Sequence, residues 1–170
     1  MLDFLIPNYY FDSIHDLEDS FFINNNVKAV LFDIDNTLEP YATAVPSKKT
    51  LDLFSKLKTM QIKTAIVSNN HKERVEKFCE ILDVPFSFDS AKPSTKRIDD
   101  LIKNLKVPRD NVIIVGDQLF TDIWAGSNAN IVSVLVNRIN NKESFFIKLK
   151  RVLELPVMLF VKKKGYGKIK

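Results

Sequence analysis

Short apolar runs that end in polar residues recur along the chain. Residues 27–32 read Val-Lys-Ala-Val-Leu-Phe and lead into an aspartate, 63–67 lead into a serine and two asparagines, and 111–115 lead into a glycine and an aspartate. Such runs are typical of strands that are buried in a parallel sheet. Two further apolar stretches, at 86–88 and 131–136, resemble them. The pattern predicts about five strands.

Helical periodicity separates these runs. Apolar residues recur at spacings of three and four within 51–60, 75–82 and 98–105, which is the pattern of a helix with one buried face. Strand and helix therefore alternate. This order predicts an α/β fold, in which a doubly wound parallel sheet carries flanking helices on both faces.

The length of the chain, 170 residues, fits a single packed domain. The strand–helix alternation covers about 27–136, so we expect an amino-terminal extension at 1–26 and a carboxyl-terminal extension at 137–170. Cys79 is the only cysteine, which excludes an intramolecular disulfide and fits a reducing compartment. No apolar stretch approaches the roughly 20 residues needed to cross a bilayer. We therefore expect a cytoplasmic protein.

Positive charge is concentrated at the carboxyl terminus. The net charge is +4, and five lysines without an acid lie within 162–170, so the rest of the chain carries −1. This near-neutral body argues against a nucleic-acid partner. The apolar residues 155–161 precede the lysines, and this combination suits peripheral contact with an anionic membrane. A helix or strand packed on the body, followed by a solvated tail, is an equally good interpretation.

Carboxylates follow two of the predicted strands. Asp33 and Asp35 are two residues apart and point to the same side of an extended chain, while Asp117 ends another strand. Two neighbouring anions repel each other unless a cation lies between them, and oxygen ligands favour a hard ion such as Mg²⁺. Aspartate also caps helices and ends strands for structural reasons, but three such placements favour a magnesium site.

Four short motifs then occur in a fixed order. They are Asp33-x-Asp35-x-Thr37-Leu38, Ser68-Asn69, Lys92-Pro93, and Gly116-Asp117 followed at a distance by Asp122. Together they resemble the four motifs of the haloacid dehalogenase (HAD) superfamily of phosphatases, over about 27–136. The ordered set is more specific than any one motif. The resemblance implies a Rossmann-like HAD fold and a Mg²⁺-dependent phosphatase.

The resemblance also implies a role for each residue. Asp33 would attack phosphorus to form an aspartyl-phosphate, and Asp35 would act as the general acid and then the general base. Asp33, Asp35 and Asp117 would hold Mg²⁺. Lys92 would neutralise charge on the transferred group.

The remaining residues of the motifs would bind or support. Ser68, Asn69 and Thr37 are implied as contacts to the substrate phosphate, and Thr37 would also hold Asp35 and its loop. Asp122 would orient Lys92 or support the metal site rather than react.

The spacing of the motifs leaves no room for a large cap domain. The segment 38–61 accommodates a loop and one helix, and 70–91 accommodates one helix and a short strand. We therefore expect an open site that admits a phosphoester carried by a large molecule. The alternatives are a phosphatase of a small soluble ester and a non-catalytic phosphate-sensing or scaffold protein with the same fold.

A closer resemblance covers almost the whole chain. The residues Asp-Ile-Asp-Asn-Thr-Leu at 33–38, the early segment 7–14, and the spacing of Lys148, Arg151 and Glu154 resemble the YqeG group of HAD subclass IIIA. Relatives of that group include the mitochondrial phosphatidylglycerophosphate phosphatase. The resemblance therefore implies that lipid as one candidate substrate, although the motifs themselves do not encode it. The oligomeric state is left open.

Overall fold

The computed structural model describes residues 3–41, 43–140 and 145–164. They form one parallel sheet with helices on both faces. The strands are β1 (Tyr9–Phe11), β2 (Ala29–Phe32), β3 (Lys63–Val67), β4 (Phe86–Ser87), β5 (Val112–Gly116) and β6 (Val132–Val136). The helices are α1 (Asp19–Asn24), α2 (Lys48–Thr59), α3 (Lys72–Leu82), α4 (Lys96–Leu105), α5 (Trp124–Asn128) and α6 (Phe145–Lys164).

The strand order is β1-β6-β5-β2-β3-β4, and every pairing is parallel. The predicted doubly wound α/β fold is thereby confirmed, with one strand more than the five expected. The additional strand is β1, which pairs through Tyr9–Phe11 with β6. Its three residues are too few to display a clear sequence period, and they lie within the predicted amino-terminal extension, 1–26.

The two faces of the sheet are buried by alternate residues of each strand. On β2, Val30 and Phe32 contact the cluster formed with α2 and α3, whereas Ala29 and Leu31 contact the cluster formed with α4 and α5. All four residues are fully buried. Burial on both faces explains why β2 reads as a nearly continuous apolar run instead of an alternating one.

Local signals explain where the helices begin and end. Ser47 caps α2, since its hydroxyl accepts a hydrogen bond from the Thr50 amide at 3.4 Å. Helices α3 and α4 each end at a residue in the left-handed conformation, Asp83 and Lys106 respectively. Between β5 and α5 the chain forms a π-helical turn, Leu119–Ile123.

The register of the central strands sets the location of the site. Phe32 pairs with Ile66 of β3 on one side and with Val115 of β5 on the other. The carboxyl ends of the three strands are therefore level, and the polar residues that follow them meet at one edge of the sheet.

Within 3–41, 43–140 and 145–164, no large cap covers this edge, as predicted. β2 and β3 are joined by a loop and α2 alone, and α3 and β4 are the only regular elements between β3 and Lys92. Among the described residues, no helix has both the length and the apolar character that crossing a bilayer requires. The lysines at 168 and 170 lie outside the described residues.

Candidate active site

The loop after β2 folds back sharply and presents its carboxylates. The amides of Thr37, Leu38 and Glu39 all donate to the carbonyl of Ile34, at 3.0 to 3.2 Å. Asn36 has a φ of 65°, a left-handed conformation that asparagine adopts more readily than most residues. The sequence Asp-Ile-Asp-Asn-Thr-Leu therefore forms a compact turn at the carboxyl end of the central strand.

Lys92 lies at the centre of the site. Its ammonium group donates to Asp33 Oδ1 at 2.8 Å, to Asp122 Oδ1 at 2.5 Å, and to the carbonyl of Val67 at 2.8 Å. The three side chains are almost completely buried. Sequence predicted that Asp33, Lys92 and Asp122 belong to one site, and the structure brings them into direct contact.

Burial and charge act against each other in this cluster. Burial raises the pKa of Asp33 to about 7, although Lys92 opposes the shift, and the charge of Asp122 adds to it. Burial alone would lower the pKa of Lys92, but Asp122 and Asp33 outweigh it and raise that pKa. Lys92 is therefore a permanent cation that keeps two buried carboxylates together.

Three carboxylates are close enough to share a metal ion. Asp33, Asp117 and Asp122 each offer an oxygen, and these oxygens lie within 4.8 Å of one another. Burial raises the pKa of Asp117 well above its usual value, against the opposing charge of Arg151. Three carboxylates face two cations, Lys92 and Arg151, so full ionisation of the cluster calls for a further positive charge. The donor set fits a hard divalent cation.

Asp35 occupies a different position from these three carboxylates. Its Oδ2 accepts from Asn70 Nδ2 at 2.9 Å, and its Oδ1 accepts from Arg74 Nη2 at 3.2 Å. The oxygen cluster thus includes the side chain of Asp122. The described contacts connect Asp35 to Arg74 of α3 and to Asn70 in the loop before that helix. The expectation that Asp35 binds metal stays a prediction.

The predicted phosphate contacts lie at the same edge of the sheet. Ser68 is buried, and its hydroxyl accepts from the amide of Asn70 at 3.1 Å. The side chain of Asn69 pairs with the main chain of Lys92. Asn69 Nδ2 donates to the Lys92 carbonyl at 3.2 Å, and the Lys92 backbone amide donates to Asn69 Oδ1 at 2.8 Å. Asn69 therefore holds the backbone of Lys92, a role that sequence did not predict. The Thr37 hydroxyl lies 3.5 Å from Asp117 Oδ1.

Two side chains of α6 complete the surroundings of Asp117. Arg151 donates to the carbonyl of Asp117 at 2.6 Å and forms an ion pair with its carboxylate. Glu154 is buried, and its carboxylate accepts from the amide of Phe120 at 3.0 Å and from Arg151 at 3.3 Å. The sequence indicated only that Arg151 and Glu154 belong to a segment that resembles the YqeG group. Their position in the site depends on how α6 packs on the body.

Arg74 is a second residue that sequence reasoning missed. Besides its bond to Asp35, its guanidinium lies 5.4 Å from the centre of the Phe78 ring. Its Nε and Nη1 atoms are buried and have no hydrogen-bond partner among the described residues. The residue lies in the first turn of α3, where nothing in the sequence distinguishes it from the neighbouring charged residues.

We expect Gly116→Ala to destabilise the protein by about 1–3 kcal/mol, because overpacking of a filled site has that cost. A Cβ at this position would overlap the side chain of Asp122, which Lys92 and the Gln118 amide hold in place. Urea denaturation followed by circular dichroism measures the loss. Ser127→Ala, at an exposed position of α5, is the control. An unchanged midpoint for Gly116→Ala would contradict this packing argument.

Comparison with known proteins agrees with this geometry. A family described as haloacid dehalogenase-like hydrolase matches residues 39–130, which is more than half of the chain. The chain belongs to this family. It is also 28% identical to the probable phosphatase YqeG of Bacillus subtilis over 163 residues, which are 96% of this chain and 95% of that protein. The predicted superfamily, the YqeG group and the enzyme class, a phosphatase, are confirmed.

Solved structures support the same fold at low sequence identity. An uncharacterised protein from Listeria monocytogenes serotype 4b matches with a TM-score of 0.54 at 17% identity, covering 81% of this chain and 99% of that one. The cobalt-bound deoxy-D-mannose-octulosonate 8-phosphate phosphatase of Haemophilus influenzae matches with a TM-score of 0.52 at 16% identity, covering 77% and 89%. These similarities concern the fold of this haloacid dehalogenase-like hydrolase.

Proposed function

We propose that this hydrolase is a Mg²⁺-dependent phosphomonoesterase that forms an aspartyl-phosphate on Asp33. The observation that supports this most strongly is the position of Asp33. It lies at the carboxyl end of the central strand, bonded to Lys92 and within reach of Asp117 and Asp122. A buried carboxylate beside a fixed cation and further oxygen ligands suits nucleophilic attack on a phosphoryl group.

The metal would be held by Asp33 and Asp117, with Asp122 close by. When bound, Mg²⁺ would supply positive charge that stabilises the phosphoryl oxygens. Asp35 remains part of our proposed ligand set, as the family resemblance implies. Magnesium suits the site because all donors are oxygens and because a divalent cation would favour the ionised forms of the buried carboxylates.

The chemistry requires two displacements. In the first, a carboxylate oxygen of Asp33 bonds to phosphorus, the ester P–O bond breaks, and Asp35 gives a proton to the departing alkoxide. In the second, Asp35 takes a proton from water, whose oxygen bonds to phosphorus and displaces the Asp33 carboxylate. The products are an alcohol and inorganic phosphate. The bonds from Asn70 and Arg74 to Asp35 would orient it for both transfers.

Lys92 and the second motif would stabilise the transferred group. The Lys92 ammonium already contacts Asp33 Oδ1, so it would lie beside the phosphoryl oxygens during transfer. Ser68 and Thr37 have hydroxyl groups at the same edge and are our proposed hydrogen-bond donors to phosphate. Asn69 would contribute chiefly by fixing the backbone of Lys92.

The substrate that we propose is a phosphomonoester carried by a bulky molecule. In the part of the chain that the structure describes, no large cap closes over the carboxylates. One cavity of about 180 Å³ is lined by Asp117, Arg138 and Arg151, among others. Phosphatidylglycerophosphate, which the resemblance to the YqeG group implies, is the first lipid to test. A cytoplasmic protein in peripheral contact with a membrane would suit this substrate.

Phosphate release from a substrate panel tests the proposal. Purified protein would receive phosphatidylglycerophosphate in vesicles, or soluble sugar and nucleotide phosphates, each with Mg²⁺ or with EDTA. We expect release that falls at least ~10²-fold in EDTA and returns with Mg²⁺, because the metal stabilises charge in the transition state. Preference for the vesicles supports a bulky substrate, whereas preference for a soluble ester supports the small-substrate alternative. A stable acyl-phosphate without release would identify a phosphate-sensing protein and contradict hydrolysis.

A further inference from the structure

The outward surface of α6 is unusually apolar. Six large apolar side chains on this helix are each at least 45% exposed. We call them the α6 outer face: Leu149, Val152, Leu153, Leu155, Leu159 and Phe160. The other exposed large apolar residues of the described chain are scattered over separate elements. Isolated exposed apolar residues are ordinary, but a contiguous group marks an interaction surface.

The opposite side of α6 already has its partners. Val157 and Val161 are buried in a cluster with Leu5, Leu119 and Ile123. The Arg151 and Glu154 side chains attach the same side to the loop after β5. This side holds the helix on the body, and the buried cluster that it enters does not include the residues of the α6 outer face.

The charges along α6 indicate what covers the outer face. Within 149–164, Glu154 is the only acid, and it is buried and bonded to Phe120 and Arg151. Lysines flank the apolar residues at Lys150 and at 162–164. A second copy of the chain would bring like charges together across a symmetric interface. Apolar insertion between cationic residues is the pattern of a helix on an anionic bilayer, where each lysine adds ~1 kcal/mol.

The outer face adjoins the active site. The cavity of about 180 Å³ between α6 and the end of β6 is lined by the exposed Leu155, by Arg138 and Arg151, and by Asp117. The Asp117 side chain is itself fully buried and paired with Arg151. The cavity therefore places two cationic side chains between the apolar surface and the buried carboxylates.

We propose that the α6 outer face docks on an anionic lipid bilayer and thereby holds the carboxylate site against a membrane-anchored phosphoester. This inference rests on the proposed phosphatase function, since it assigns the surface from which that site takes its substrate. The helix lies along the membrane surface. Its buried side keeps Arg151 on Asp117, so docking and the position of the site are coupled through one rigid element.

Vesicle sedimentation of the full chain tests the docking. We expect binding to vesicles of equal phosphatidylglycerol and phosphatidylcholine that weakens as NaCl increases, and little binding to pure phosphatidylcholine. The double variant Leu153→Glu/Leu159→Glu should bind the anionic vesicles at least ~10-fold more weakly, since burial of each leucine is lost and two negative charges are added. Ile23→Glu is the matched control, because Ile23 is as exposed as Leu159, at 69%, but lies on α1.

Hydrolysis of a soluble phosphate ester separates the two proposals. We expect the Leu153→Glu/Leu159→Glu variant to keep the wild-type rate on that ester and its unfolding midpoint, and to lose activity only on vesicle substrates. Wild-type hydrolysis without vesicle binding would overturn the docking and leave the phosphatase function intact. Vesicle binding without any phosphate release would support the docking and overturn the proposed function. Self-association that the double variant abolishes, with no vesicle binding, would identify a dimer interface instead.

Discussion

Asp33→Asn is expected to reduce phosphate release by about 10³-fold or more, since loss of a nucleophile removes the covalent route. The amide has nearly the same shape as the carboxylate, and its oxygen can still accept from Lys92, so the fold should be retained. Measurement of kcat with saturating Mg²⁺ gives the effect. Asp52→Asn is a control, because Asp52 is an exposed acid that pairs only with Lys48 among the described contacts.

The same substitution should make the folded protein more stable in EDTA. Burial raises the pKa of Asp33 to about 7, which means that the folded state disfavours its ionised form. A raised carboxyl pKa lowers stability as the pH rises from about 4 to 7, because the unfolded chain releases the proton first. Asp33→Asn removes this penalty, so its gain in thermal midpoint should be greatest above pH 7 and shrink towards pH 4.

Either half of this prediction can fail independently. Retained turnover in Asp33→Asn would show that Asp33 is not the nucleophile. Lost turnover together with a lower midpoint at every pH would show that the carboxylate contributes to folding, and the kinetic loss would then not identify its chemical role.

Lys92→Met is expected to destabilise the protein by about 3–5 kcal/mol, the usual effect of removing one partner of a buried ion pair. Methionine fills a similar volume but leaves Asp33 and Asp122 without their shared cation. The backbone contacts of Lys92 with Asn69 do not involve the side chain, so the local turn should survive. We also expect turnover to fall by about 10²–10³-fold, as for loss of a charge-stabilising donor.

Thermal denaturation with and without Mg²⁺ tests the electrostatic origin of this effect. A divalent cation should raise the midpoint of Lys92→Met more than that of the wild type, since it supplies the missing positive charge. The double variant Lys92→Met/Asp122→Asn should recover part of the lost stability, because one of the stranded carboxylates becomes neutral. If the double variant is no more stable than Lys92→Met, lost packing rather than unpaired charge explains the effect.

Much of the candidate site was predictable because parallel strands bring distant residues together by a simple rule. Asp33, Ser68 and Asp117 each follow an apolar run, and the carboxyl ends of such runs meet at one edge. Lys92 and Asp122 could be added only through their order in the four-motif resemblance. The residues next to Lys92 and Asp122 along the chain do not indicate that Lys92 Nζ lies 2.5 Å from Asp122 Oδ1.

The site contacts that sequence reasoning missed depend on the packing of separate helices. Arg151 was named from the sequence only as part of the resemblance to the YqeG group, without a role in the site. Its contact with Asp117 arises because Val157 and Val161 seat α6 beside the β5–α5 loop. Arg74 likewise reaches Asp35 only because α3 packs on the sheet face that carries Val30 and Phe32. The hydrophobic periodicity of a segment does not reveal which distant residue one of its polar side chains will contact.

Periodicity along the chain was therefore enough to predict a parallel α/β sheet and the edge that carries the chemistry. These features follow from local rules: which residues are buried on both faces of a strand, and where strands end. Asp33 as the candidate nucleophile came only from the resemblance of the ordered motifs to the haloacid dehalogenase superfamily. The sixth strand, the oxygen cluster with Asp122, and the contribution of α6 were decided by tertiary structure alone. They depend on distances between elements far apart in sequence, and only the packed core sets those distances.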